Sequence, residues 1–221
     1  MFSNRYIFVY SAIMVIIVAV LLSVVAIQLK PYQEKNIRTE KMQNILTAVN
    51  ISSTTKNAEE LYNKYIKETL VVNNKGEIIT GINAFSIDLA AELKKAPEKI
   101  NWPVYICSFD NGEKNYIVPV RGKGLWGPIW GYIAFNKDFN TITGSMFDHK
   151  GETPGLGAEI NTRKFQEQFI KKQIFDTSGN FTSIHIIKPG TKELDIHSVD
   201  GISGGTITSN GVANMLQHCL K

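Results

Sequence analysis

The stretch "IFVYSAIMVIIVAVLLSVVAI", from Ile7 to Ile27, carries no charged residue. A helix needs about 20 consecutive apolar residues to cross the hydrocarbon core of a bilayer, and this run meets that length. Arg5 precedes it and Lys30 follows it. The apolar region of a cleaved signal peptide is normally only about 7–15 residues long. A retained single-span anchor over residues 1–30 is therefore the expected reading, although Val24-Val25-Ala26 has the look of a cleavage site. Charge does not set the topology. Lys30, Lys35 and Arg38 on the far side outnumber Arg5, but large C-terminal domains translocate regardless of such counts.

What remains is long enough for one substantial domain. The net charge of +4 is mild and its lysines are scattered. Without a basic stripe interleaved with aromatics, nucleic acid is not an expected partner. Cys107 and Cys219 form no CxxC pair and are read as free thiols. His149, His185, His197 and His218 lack metal-ligand spacing, so no metal site is assigned. His149 is read as a surface residue beside a motif described below.

Beyond the anchor, Gln33–Val49 places Ile37, Met42, Ile45, Leu46 and Val49 at helical spacing, an amphipathic connector. Asn57–Leu70 repeats that pattern. "VVNNKGEIIT" and "VYICSFDNGEKNYIVPV" each set a turn between two β-prone pieces, the mark of a hairpin. Ser86–Lys95 reads as a helix capped by Ser86. "LWGPIWGYIAF" reads as a strand ending at Phe135, and Thr141–Phe147 as the next. Phe165–Phe175 suggests a short helix, Thr182–Lys188 a strand, and Val212, Met215, Leu216 and Cys219 the apolar stripe of a last helix. Hairpins outnumber strand–helix–strand units. The expected fold is α+β, a mostly antiparallel sheet flanked by helices and preceded by one transmembrane helix. Three regions follow: the anchor, a membrane-proximal part over residues 31–99, and the principal domain over 100–221.

Two segments are candidates for chemistry. In "DGISGGTITSNGV" (Asp200–Val212), Gly201, Gly204 and Gly205 expose backbone amides just before the last helix, with Thr208 or Ser209 as its cap. Bare amides at a helix start attract an anion such as phosphate, while a tight structural turn has the same glycine content. It is neither a P-loop nor a dinucleotide fingerprint. In "HKGETPGLGAEI" (His149–Ile160), Pro154, Gly155 and Gly157 shape a loop carrying Glu152, Thr153 and Leu156. No paired catalytic carboxylates and no Ser-His-Asp set occur in it, and no catalytic residue is assigned.

These segments together resemble the covalent FMN-binding domains. "DGISGGTITSNGV" is similar to their D-x-x-S-G-A-T-x-T-S signature, and "GETPGLGAEI" and "GKGLWGPIWGYIAF" to two further stretches. The resemblance is greatest to the anchored flavin subunits of Na+-translocating NADH:quinone oxidoreductases (Nqr), through the "GLW…GY" and "SNGV" segments. Rnf-type ferredoxin:NAD+ oxidoreductase subunits are the alternative within the family. A membrane-anchored module holding a phosphate-bearing ligand reversibly is the alternative outside it. The resemblance implies FMN esterified through its phosphate to Thr206 by a separate flavin transferase. Ser203, Gly204, Gly205 and Thr208 would surround the phosphate; Trp126, Glu152, Thr153, Leu156 and Gly157 would seat and orient the ring. It also implies electron relay between other Nqr subunits, lipid contact through one helix, and a domain on the periplasmic side of the bacterial inner membrane. One position departs from the signature: Gly205 stands where the family has Ala.

Overall fold

The computed structural model describes residues 3–191 and 195–221. It divides into two compact units, Met1–Lys41 and Met42–Lys221. The apolar run lies in α1 (Asn4–Ala48), a helix that continues through Pro31. It is long and apolar enough to cross a membrane, and its most apolar window is wholly unburied by protein. The expected connector is thus the same helix as the anchor. Its last turns belong to the second unit, where Met42, Ile45, Leu46 and Ala48 are buried.

The second unit is built on a five-stranded antiparallel sheet in the order β1 (Ile66–Val72), β2 (Trp102–Ser108), β3 (Lys114–Lys123), β4 (Pro128–Phe135) and β5 (Ile142–His149). From β2 to β5 strand follows strand through short local connections, while β1 reaches β2 across residues 73–101. At the β2–β3 hairpin, Gly112 has φ 84°, and Asn111 accepts the N–H of Glu113 through its side chain. Between β4 and β5, Asp138 accepts the amides of Asn140 and Thr141 at 2.7 Å each.

Alternation along the strands sends side chains to two cores. Tyr105, Ile117, Tyr132, Ala134 and Met146 pack with the end of α1 and with Tyr62 of α2 (Ala58–Tyr65). On the other face, Val120, Ile129, Ile133 and Phe147 pack with Phe165, Phe169 and the buried stripe of α5 (Thr206–Cys219). That stripe is Val212, Met215, Leu216 and Cys219, as the sequence pattern requires. A short parallel pair, β6 (His185–Ile187) and β7 (Ser198–Asp200), leads into α5.

Several expected helices are shorter or differ. The pattern over Asn57–Leu70 is helical only to Tyr65; from Ile66 the chain is strand, paired with β2 across a bulge near Ile66 and Glu68. Partner strands override a local helical period, especially in a β-branched stretch. In Ser86–Lys95 the helix is a single turn, α3 (Leu89–Glu92), and its cap is Asp88, which accepts the Ala90 N–H at 2.9 Å. Ser86 instead donates its hydroxyl to the Asn83 carbonyl. Phe165–Phe175 forms one α-turn, α4 (Arg163–Gln166), and a 3-10 turn to Phe169. Lys171, at φ 67°, then turns the chain away. Finally, α5 begins at Thr206, with Gly205 at the cap position and no capping side chain; Thr208 and Ser209 lie inside its first turn.

Candidate flavin site

Three segments meet beside the start of α5: the β3–β4 turn, the loop after β5, and the glycine-rich entry to the helix. One side chain links them. Glu152 is only 5% exposed, unusual for a carboxylate with no ion pair among the described residues. Its Oε1 accepts the Trp126 N–H at 2.8 Å and its Oε2 accepts the Thr208 hydroxyl at 2.6 Å. Its own N–H donates to His149 Nδ1 at 3.1 Å. Burial pushes this carboxyl upward, but the Thr208 hydroxyl and the amides of Trp126, Leu125 and Gly127 outweigh it and hold it below its ordinary value of 4.5. Hydrogen bonds to the charged form are the reason. Glu152 is therefore an ionised clasp. Gly157 makes the fit possible, since a Cβ there would stand 2.4 Å from Thr208 Oγ1 and 2.5 Å from Glu152 Oε2.

The entry to α5 is folded onto its own first turn. Gly205 donates to the Ile202 carbonyl at 2.9 Å, and Ile202 donates back to Ser209 Oγ at 3.0 Å. The first turn of the helix closes with a bond from the Ser209 N–H to the Gly205 carbonyl. The amides of Thr206, Ile207 and Thr208 precede it and have no acceptor within the helix. They form the positive end of a 14-residue helix. Thr206 is exposed at that point, as are Ser203 and Gly204.

A cavity of about 230 Å³ opens here, lined among others by Glu152, Leu156, Gly157, Gly205, Thr206 and Ile207. Its lining joins the buried polar side chains of Glu152 and Thr208 to the exposed apolar ones of Leu125, Leu156 and Ile207. Leu125, Leu156 and Ile207 are each more than 40% exposed, and Trp126, next to Leu125 in the same turn, is 70% exposed. Trp126 is thus no core residue. Exposed apolar side chains gathered at a helix start that attracts anions suit a ligand with a phosphate and a flat aromatic ring. The volume is below the roughly 300 Å³ at which small-molecule pockets begin, so a flavin ring would overhang the rim.

The structure brings Gly204, Gly205, Thr206, Thr208, Glu152, Thr153, Leu156 and Gly157 to this one cavity. It separates Ser203, which lines a cavity of about 410 Å³ with Lys164, Phe165 and Asp200. Thr208 donates its hydroxyl hydrogen to Glu152, so that hydrogen is not free for a phosphate. Thr153 contributes its carbonyl, accepting the amides of Leu156 and Ala158 at 3.1 Å. Leu125 and Ile207 were not among the expected site residues; the signal for both was an apolar side chain in a turn or first helical turn otherwise polar. His149, expected at the surface, is half-buried behind Glu152. Gly205 also has a local explanation. A Cβ there would stand 2.9 Å from Ile202 Cγ2 and 3.2 Å from the Leu156 carbonyl carbon, so Ile202 occupies the space an alanine methyl would need.

Residues 124–221, which include all the residues lining this cleft, match the FMN-binding domain family. The NqrC component of the Na+-translocating NADH-quinone reductase from Vibrio vulnificus (strain YJ016) is 30% identical over 213 residues, covering 89% of this chain and 83% of that one. Its counterpart in Pasteurella multocida (strain Pm70) is 34% identical over 215 residues, covering 88% and 81%. The crystal structure of the counterpart from Parabacteroides distasonis ATCC 8503 superposes with a TM-score of 0.80 at 43% identity, covering 87% of this chain and 93% of that chain. That of NqrC from Shewanella oneidensis gives 0.72 at 29%, covering 83% and 92%. The chain belongs to the NqrC family of the Na+-translocating NADH-quinone reductases.

Proposed function

We propose that this protein is an electron-relay subunit of a Na+-pumping NADH:quinone reductase, holding FMN covalently through Thr206. The observation that carries the reading is the position of Thr206: the exposed first residue of α5, where the first amides have no acceptor within the helix, at a cleft that Leu125, Leu156 and Ile207 also line. The protein's part is to hold and orient. The amides of Thr206, Ile207 and Thr208 offset the negative charge of a phosphodiester, assisted by the helix dipole. Leu125, Trp126, Leu156 and Ile207 offer a surface for the flat ring. Glu152 and Gly157 fix the walls, and Thr153 buttresses the loop. The bound flavin supplies the electron chemistry. Residues 100–221 supply the flavin-binding domain, with residues 31–99 as its membrane-proximal part. α1 anchors the chain in the inner membrane with the domain on the periplasmic side, where covalent attachment keeps the cofactor from diffusing away. The partners are the remaining subunits of the complex and, during maturation, a flavin transferase that esterifies the Thr206 hydroxyl.

The test is a denaturing gel of protein made in cells that contain the transferase. The wild-type band is fluorescent after SDS, and the Thr206→Ala band is dark. Mass spectrometry of the peptide bearing Thr206 carries the increment of an FMN ester. A dark wild-type band, or a fluorescent Thr206→Ala band, overturns the assignment.

A further inference from the structure

His149 enters neither the core nor the cleft lining, yet its ring is committed. A backbone N–H can only donate, so the 3.1 Å contact from Glu152 N–H makes His149 Nδ1 the acceptor. In the neutral ring the proton then sits on Nε2. That atom is buried and, among the described residues, has no partner. A buried, unmatched donor is destabilising, because it has given up its water for no partner. A ring held in this way points to a gain at its other nitrogen. The gain is the placement of Glu152. The carboxylate spans two bonds, to the Trp126 amide, whose neighbour Leu125 lines the cleft while Trp126 does not, and to the hydroxyl of Thr208, which does. His149 fixes the backbone from which that carboxylate reaches.

We propose that His149 is a positioning residue for the flavin: by accepting the Glu152 N–H at Nδ1 it holds the clasp that assembles the walls of the cleft. This rests on the flavin reading given above for its consequence, but the contact itself belongs to the protein without cofactor. Two amide side chains separate the roles of the two ring nitrogens. Asparagine carries its oxygen two bonds from Cβ, where Nδ1 lies, and can accept from Glu152. Glutamine reaches one bond further, toward the Nε2 position. Alanine supplies neither.

The experiment compares His149→Ala, His149→Asn and His149→Gln in the detergent-solubilised full chain. Hydrogen–deuterium exchange is followed at the Trp126 amide in protein made without the transferase, and the flavin midpoint potential is read in flavinylated protein. Loss of one neutral hydrogen bond speeds local opening about two- to tenfold. In His149→Ala and His149→Gln the Trp126 amide exchanges faster by that factor and the potential moves. His149→Asn restores both. The proposal is overturned if His149→Asn behaves like His149→Ala, if His149→Gln is the better rescue, if His149→Ala leaves Trp126 exchange unchanged, or if His149→Asn does not fold. Should the wild type carry no flavin, the Nqr-type reading fails while the exchange arm still decides on His149.

Discussion

Glu152 shows how a single residue can be visible in a sequence while its task is not. Its place in "GETPGLG" marked it as a polar group on a shaped loop beside the cofactor. Nothing local announced that both its oxygens would be engaged by other segments, because Trp126 and Thr208 lie 26 and 56 residues away. The same holds for Gly157, whose missing side chain is required by a contact with Thr208. Thr206, by contrast, was singled out through the family signature, and the structure places it exposed at the start of α5. Glu152 also makes acid stability a readout of the site. Its folded-state carboxyl lies below the ordinary 4.5, so its contribution is present above that value and is lost as pH falls through the folded-state value. Glu152→Gln cannot be ionised, and its amide group faces the Trp126 N–H or the Thr208 hydroxyl with hydrogens of its own. At about pH 7 the variant is expected to be less stable by roughly 1.5–3 kcal/mol, the range for hydrogen bonds to a charged group. Urea unfolding then shows the gap between wild type and variant narrowing below about pH 4.5. A gap that stays constant through that window would remove the charge from the explanation.

At the scale of elements, the β2–β3 hairpin was readable, the expected hairpin over "VVNNKGEIIT" closes on a single bridge from Val72 to Ile78, and the short helices were not readable. Turn residues fix a hairpin from within, as Asp110-Asn111-Gly112 does between β2 and β3. The strand β1 carries a helical period in its sequence but obtains its hydrogen bonds from β2, a partner about 36 residues along the chain by their register. The seating of α5 on β3 depends on a close approach of the same non-local kind. A Cβ at Gly211 would stand 2.4 Å from the Lys123 carbonyl oxygen, a backbone atom that cannot swing aside. Lys123 ends β3 just before the turn that carries Leu125 and Trp126, so this contact sets the distance from helix to cleft wall. Gly211→Ala gains about 1 kcal/mol of helix propensity against an overpacking cost of about 1–3 kcal/mol. The expected net is destabilisation with a weaker hold on the flavin. Asn210→Ala, at an exposed position of the same helix, gains propensity without the clash and is expected to be neutral or stabilising. Urea midpoints of the two variants decide; a stabilised Gly211→Ala would mean that the helix can lift from β3 at no cost.

For the whole molecule, the sequence divided the chain where its hydropathy changes, near Lys30. The structure divides it later, because α1 does not stop at the end of its apolar run. Met42, Ile45, Leu46 and Val49 are buried in the same core as Tyr105, Ile117 and Tyr132 of the sheet. The physical reason is that the helix changes its solvent along its length: the first part is uniformly apolar, and the last turns are amphipathic and packed on protein. Burying a large apolar side chain contributes roughly 1.5–3 kcal/mol. Four such residues together approach the roughly 5–15 kcal/mol by which a domain is stable at all. The second unit should therefore depend on the end of α1. A chain beginning at Gln33 keeps these residues and is expected to be water-soluble, to unfold cooperatively in urea, and to give a folded circular dichroism spectrum. A chain beginning at Asn50 loses all four and is expected to collect in inclusion bodies or to unfold without a cooperative transition. If the two chains showed the same urea midpoint, the end of α1 would be a mere attachment to a core complete without it. If only the longer one folds, the last turns of α1 are a structural part of the unit that carries the cleft.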